Sequence, residues 1–157
     1  MSKAEQVVRE YLDAMELRDL AAARSLLAPG FSMMFPGGKR FDSLEQLVEA
    51  ARKRYRSARK TYERYETAGD AVYCYGTLHG ELLDGSPYAG IRFIDRFTVR
   101  GGKLVDQNVW NDMAEVLGAK LTPLRWRTRS PRSSSRAPPV AARSRRARSS
   151  RARSTSR

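Results

Sequence analysis

Three side chains in this sequence combine proton-transfer chemistry with a suggestive setting: Asp95, Asp112 and His79. Asp95 alternates with Ile91, Phe93, Phe97 and Val99, so it faces the apolar layer of whatever sheet that run joins. A carboxylate stripped of water without a partner holds its proton more tightly, which is how a general acid or base is prepared in a dry site. The alternative is a structural Asp satisfied by a neighbouring Arg, a tyrosine hydroxyl or backbone amides. Asp112 lies on the same strand side as Trp110. It is either a second carboxylate that orients a ligand or a cap for the turn that follows. Two carboxylates reaching one cavity could share a proton or push their protonation apart. His79 is the only histidine, so an imidazole base must be this residue. Its companions Tyr73, Tyr75 and Thr77 suit a surface or interface position equally well.

Other chemistries lack their residues. One His, one Cys and no clustered carboxylates give no metal site. Gly37-Gly38 and Gly101-Gly102 are turn pairs rather than phosphate cradles, and no nucleotide fingerprint is present, so no cofactor is expected. Cys74 falls on the Val72 and Leu78 side of its strand and reads as core rather than nucleophile. Tyr11, Met15, Phe31, Phe35, Tyr75 and Trp110 are large apolar or aromatic side chains whose plain reading is core packing.

The elements that must position these groups are legible from periodicity. Val7, Val8, Tyr11, Leu12 and Met15 predict one helix, and Asp19 caps a short second helix stopped by Pro29-Gly30. Phe31 to Phe35 is a short extended run. Ser43 and Gln46 form a capping-box pattern that opens a third helix. Leu44, Leu47, Val48, Ala51, Tyr55 and Ala58 mark its apolar face, and Arg52, Lys53, Arg56, Arg59 and Lys60 its basic one. From Thr61 the period becomes alternating, and strands are predicted over 62–67, 72–82, 88–100 and 103–113. Helices followed by an antiparallel meander argue for an α+β fold, three N-terminal helices packed on one face of a curved, mainly antiparallel sheet.

Charge divides the chain. Residues 1–118 carry 17 basic and 17 acidic side chains, whereas residues 119–157 carry 13 basic ones and no acid. The pI of about 10.6 therefore describes an appendage. Residues 1–118 form the expected domain, and 119–157 an expected disordered tail of Arg, Ser, Pro and Ala. That tail reads as a polyanion-binding arm, as a phosphorylation-regulated arginine-serine segment, or as the product of a shifted reading frame. Nucleic acid, if bound at all, is expected only through 119–157. No apolar leader, no membrane-length apolar run and a single cysteine make a cytoplasmic protein without membrane attachment the expectation.

Several local motifs carry a resemblance: Leu26-Leu27-Ala28-Pro29-Gly30-Phe31, Phe35-Pro36-Gly37-Gly38, Gly76-Thr77-Leu78-His79-Gly80, Arg92-Phe93-Ile94-Asp95-Arg96-Phe97, Gly101-Gly102-Lys103-Leu104-Val105 and Trp110-Asn111-Asp112. In this order, over roughly residues 4–118, the chain resembles the NTF2-like superfamily with its cystatin-like cone, and within it the SnoaL-like proteins. The resemblance implies a bent sheet around a long helix, an apolar cavity open at one end that Tyr11, Met15, Phe31, Phe35, Tyr75 and Trp110 would line or cap, and homodimers paired through their sheets. It also implies a small apolar organic ligand and isomerase, cyclase or dehydratase chemistry, or none. Relatives often place an aromatic-x-Asp with the Asp at the cavity, which corresponds to Trp110 and Asp112. Polyketide-cyclase relatives pair a His with an Asp and put a His soon after the Gly-Lys-Leu element, where this chain has Asp106-Gln107-Asn108. The expected protein is thus a cofactor-free small-molecule pocket protein with a desolvated carboxylate as acid or base. Its alternatives are a non-catalytic ligand-binding or dimerisation module and a nucleic-acid binder through the tail.

Overall fold

Polar side chains start each of the first three helices. In the computed structural model, which describes residues 1–118, helix α1 (Lys3–Glu16) opens with the Glu5 N–H donating to the Ser2 hydroxyl at 3.0 Å. It buries Val8, Tyr11, Leu12 and Ala14. Helix α2 (Leu20–Ser25) begins with the Ala22 N–H on the Asp19 carboxylate, and α3 (Leu44–Arg52) with the Gln46 N–H on Ser43. Such caps satisfy N–H groups that have no partner inside the helix. A short fourth helix, α4 (Met113–Leu117), closes the described region.

Strands β1 (Leu27–Phe35), β2 (Lys39–Phe41), β3 (Tyr55–Ala68), β4 (Ala71–Leu82), β5 (Pro87–Arg100) and β6 (Lys103–Asn111) form one sheet in the order β2-β1-β6-β5-β4-β3. Every neighbouring pair is antiparallel except β1 with β6. The sheet is curved and unclosed, and α1 packs against β3, β4, β5 and β6. On that helix-covered face, Val72, Cys74 and Leu78 of β4 and Ile91, Phe93, Asp95 and Phe97 of β5 are buried with Val8 and Tyr11. The alternation expected from the sequence is therefore the one observed.

The third helix differs from expectation. It ends at Arg52, and Tyr55 to Lys60 belong to β3, in register with Leu82 to Leu78. Helical spacing at Tyr55 and Ala58 loses to long-range pairing, which gives these backbone groups partners along a whole strand. Two glycines on β4 make the approach possible. A side-chain carbon at Gly76 would sit 2.0 Å from the Thr61 carbonyl oxygen, and one at Gly80 would sit 2.2 Å from that of Ser57. The β3 backbone thus passes where side chains would otherwise stand, with register breaks at Tyr55/Ser57 and Tyr62/Arg64 that bend the strand. Among the described residues no helix is long and apolar enough to cross a membrane. The tail expected over 119–157 lies outside the described residues.

Candidate functional site

Asp95 is fully buried, on the face of β5 that its alternation with Phe93 and Phe97 predicts. Register explains its company. Asp95 opposes Val109 and Phe97 opposes Gln107, so Asp95 and Gln107 are diagonal neighbours on one face, within reach of a long side chain. Gln107 Nε2 donates to Asp95 Oδ2 at 3.3 Å, and the Tyr11 hydroxyl donates to Gln107 Oε1 at 3.1 Å. Lys60 Nζ, from β3, bonds the same Asp95 oxygen. A line of contacts therefore runs Tyr11–Gln107–Asp95–Lys60. The other carboxylate oxygen, Asp95 Oδ1, is enclosed with no hydrogen-bond partner among the described residues.

Aromatic rings wall this cluster. Lys60 Nζ lies 4.4 Å from the centre of the Phe93 ring, and Tyr62 meets Phe93 edge-on at 5.6 Å. Tyr11 packs edge-on against Phe97 at 5.9 Å and touches Phe31. The low-dielectric lining acts on its neighbours' protons. Burial first, and the Asp95 charge second, raise Tyr11 and Tyr62 above the ordinary tyrosine range, so both hydroxyls stay protonated donors. The same two causes push the Cys74 thiol up to about 12, which leaves it unreactive core. Lys60 is the exposed end of the cluster: its side chain is 21% accessible, against 0% for Asp95.

The remaining sequence candidates lie elsewhere. Asp112 does not join Asp95. It pairs with Arg92, whose Nε stands 2.5 Å from Asp112 Oδ2 at the surface, and so the two carboxylates share no proton. The cap of α4 comes from Asn111 instead, whose Oδ1 accepts the Met113 N–H at 3.1 Å. Trp110 projects from the uncovered face of the sheet, 52% exposed, in register with Ile94. Tyr75 opposes Ile94 from the other side and bonds Glu66. Together with Arg92, Asn111 and Asp112, these three residues line an open depression of about 410 Å³. His79 is half-buried on the same uncovered side of β4, opposite Arg59, away from Asp95. Tyr11 is buried in the core, while Met15, Phe31 and Phe35 are half-buried against it, with Phe35 edge-on to Phe41. Among the described residues no three His, Cys, Asp or Glu side chains converge on a metal position.

Sequence reasoning missed Lys60 and Gln107. Helical spacing puts Lys60 on the basic face of the third helix, and only the pairing of β3 turns it toward Asp95. Gln107 shares parity with the buried Val109, a signal present in the sequence but overshadowed by Trp110 on the opposite parity.

Helices on one face of a bent six-stranded sheet, with a polar cluster enclosed between them, define an NTF2-like α+β cone. The SnoaL-like domain family matches residues 8–107, and the chain belongs to that family. Among solved structures, an NTF2-like protein of unknown function from Burkholderia pseudomallei is similar at 20% identity and TM-score 0.69, over 78% of this chain and 100% of its own. TerC, co-crystallised with polyporic acid, is similar at 17% identity and TM-score 0.65, over 73% of this chain and 95% of its own. A protein with a ketosteroid isomerase-like fold from Catenulispora acidiphila, in complex with trimethylamine, is similar at 18% identity and TM-score 0.64, over 74% and 97% of the two chains. None of the curated proteins matches.

Proposed function

We propose that this SnoaL-like domain binds a small organic molecule against the helix-covered face of its sheet, and that Lys60, held by the enclosed Asp95, handles a proton on it. Isomerase, cyclase and dehydratase chemistry share that step. The observation that carries the reading is a fully enclosed carboxylate held by Lys60 and Gln107 within an aromatic wall. Charges fixed in such a site act more strongly than in water and need no reorganisation when a proton moves. Moving a proton between carbon and oxygen balances without a redox partner, so the reading needs no cofactor. The similar structure of TerC, co-crystallised with polyporic acid, supports a small organic ligand. A cytoplasmic setting fits the single free Cys74.

The test is proton exchange. Aromatic ketones that bind, found by ligand-observed NMR, are incubated in deuterated buffer, and exchange at the carbon beside the carbonyl is followed. The native protein should accelerate it, and Asp95→Asn should slow it by about 10²-fold or more. Binding without acceleration would return the domain to the non-catalytic reading. That second reading has its own observation: both candidate carboxylates already have cationic partners, Asp95 in Lys60 and Asp112 in Arg92.

Two partners complete the proposal. A second copy of the chain is proposed on the uncovered sheet face, where exposed Ile94 and Trp110 stand in one row with half-buried Tyr75. Polyanion binding is proposed through 119–157 alone, from its 13 basic side chains and absence of acids. Ending the chain at Gly118 should abolish retention on heparin at low salt and leave the domain's unfolding midpoint unchanged. Retention that survives the truncation would remove the tail's role.

A further inference from the structure

We infer that the ligand carries an anionic oxygen, a carboxylate, enolate or phenolate on an apolar ring body, and that Lys60 is the group that meets it. This rests on the small-molecule reading above and names its ligand class. Asp95 has no accessible surface, so a ligand cannot touch it without moving its neighbours. The accessible member of the pair is Lys60, 21% exposed. An ammonium has three N–H donors. One reaches Asp95 Oδ2, the head lies against the Phe93 ring, and among the described residues no second acceptor takes what is left.

Behind the ammonium, Asp95 is fixed by Gln107, and Gln107 by Tyr11. The pair is therefore a dipole whose positive end points out of the cluster and whose negative end is locked in. An oxygen anion gains a charge-assisted hydrogen bond there, about twice as strong as a neutral one. Its ring body lies beside half-buried Tyr62, whose hydroxyl, held protonated by burial, is a further donor on the same strand.

Two isosteric probes test this on the full chain: 2-naphthoate and the neutral 2-naphthamide. Binding is read at the amide resonances of Lys60, Tyr62 and Phe93, so that anions held by the arginine-rich tail do not register. The native protein should bind naphthoate about tenfold more tightly than naphthamide, or better. Lys60→Gln should erase the preference. Asp95→Asn should strengthen naphthoate binding several-fold, because it unmasks the cation. These opposite responses from the two members of one pair are what a merely structural ion pair does not give. If Lys60→Gln does not fold, Lys60→Arg, which keeps the charge, and Asp95→Asn decide. Equal affinity for both probes, or weakened naphthoate binding in Asp95→Asn, overturns the assignment while leaving the small-molecule reading in place. Amides unmoved by either probe would end both.

Discussion

Lys60 and Asp95 meet although they stand in different rows of the sheet. Lys60 is in register with Leu78, and Asp95 with Cys74, so the lysine stem spans the intervening row of Tyr62, Gly76 and Phe93. The contact depends on the bent course of β3, and it converts an orphan buried carboxylate into one with a counter-ion.

Removing one partner of that pair should cost more than removing both. Lys60→Met leaves an enclosed charge uncompensated, and the expected loss is about 3–5 kcal/mol. The double variant Lys60→Met with Asp95→Leu should recover most of it. Urea unfolding midpoints of the four proteins give the coupling, and simple additivity would mean that the two side chains act independently.

Gly76 should tolerate no side chain. Its added carbon meets backbone oxygen at 2.0 Å, and backbone cannot swing aside as a side-chain tip can. Gly76→Ala is expected to destabilise by at least about 2 kcal/mol, whereas Arg59→Ala, exposed on the neighbouring strand, should stay within about 0.5 kcal/mol. Thermal denaturation of the two variants checks the contrast.

Alkali should weaken the fold. Burial raises Cys74 from 9.0 to about 12 and Tyr88 from 10.0 to about 12, and it raises Tyr11, Tyr62 and Tyr65 beyond that. The folded state therefore binds these protons more tightly than the unfolded chain. Their contribution is complete below the unfolded values and is lost as pH climbs through the interval toward the folded ones. Urea midpoints should fall progressively above about pH 9. In the same series Cys74 should resist iodoacetamide at about pH 8 until the protein unfolds, and rapid alkylation of the native state would contradict the buried thiol.

Ile94→Asp should yield monomers. The substitution places a charge in the middle of the Tyr75–Ile94–Trp110 row without touching the buried face. Light scattering should report a dimer for the native chain and half that mass for the variant, with unchanged circular dichroism. A native chain of monomer mass removes the dimer proposal.

Local pattern determined much of this protein by itself. The alternation of Ile91, Phe93, Asp95, Phe97 and Val99 fixed the buried side of β5, because side chains on a strand alternate strictly and only one face here is covered by helices. The caps at Ser2, Asp19 and Ser43 are equally local, each a side chain bonded to an N–H three residues on. What joins distant segments was decided by tertiary structure. Tyr55 to Lys60 have helical spacing, yet they pair as strand because Gly76 and Gly80 open a path for them against β4. Trp110 and Asp112 line an open depression on the uncovered face, apart from the cluster around Asp95. The register of β6 turns Trp110 outward and Gln107 inward, a choice of parity that depends on which face α1 covers. The sequence could present Asp95 as a carboxylate in an apolar layer. That Lys60, Gln107 and Tyr11 would be the side chains to meet it depended on the bend of β3 and the packing of α1, both of which arise from contacts between residues far apart along the chain.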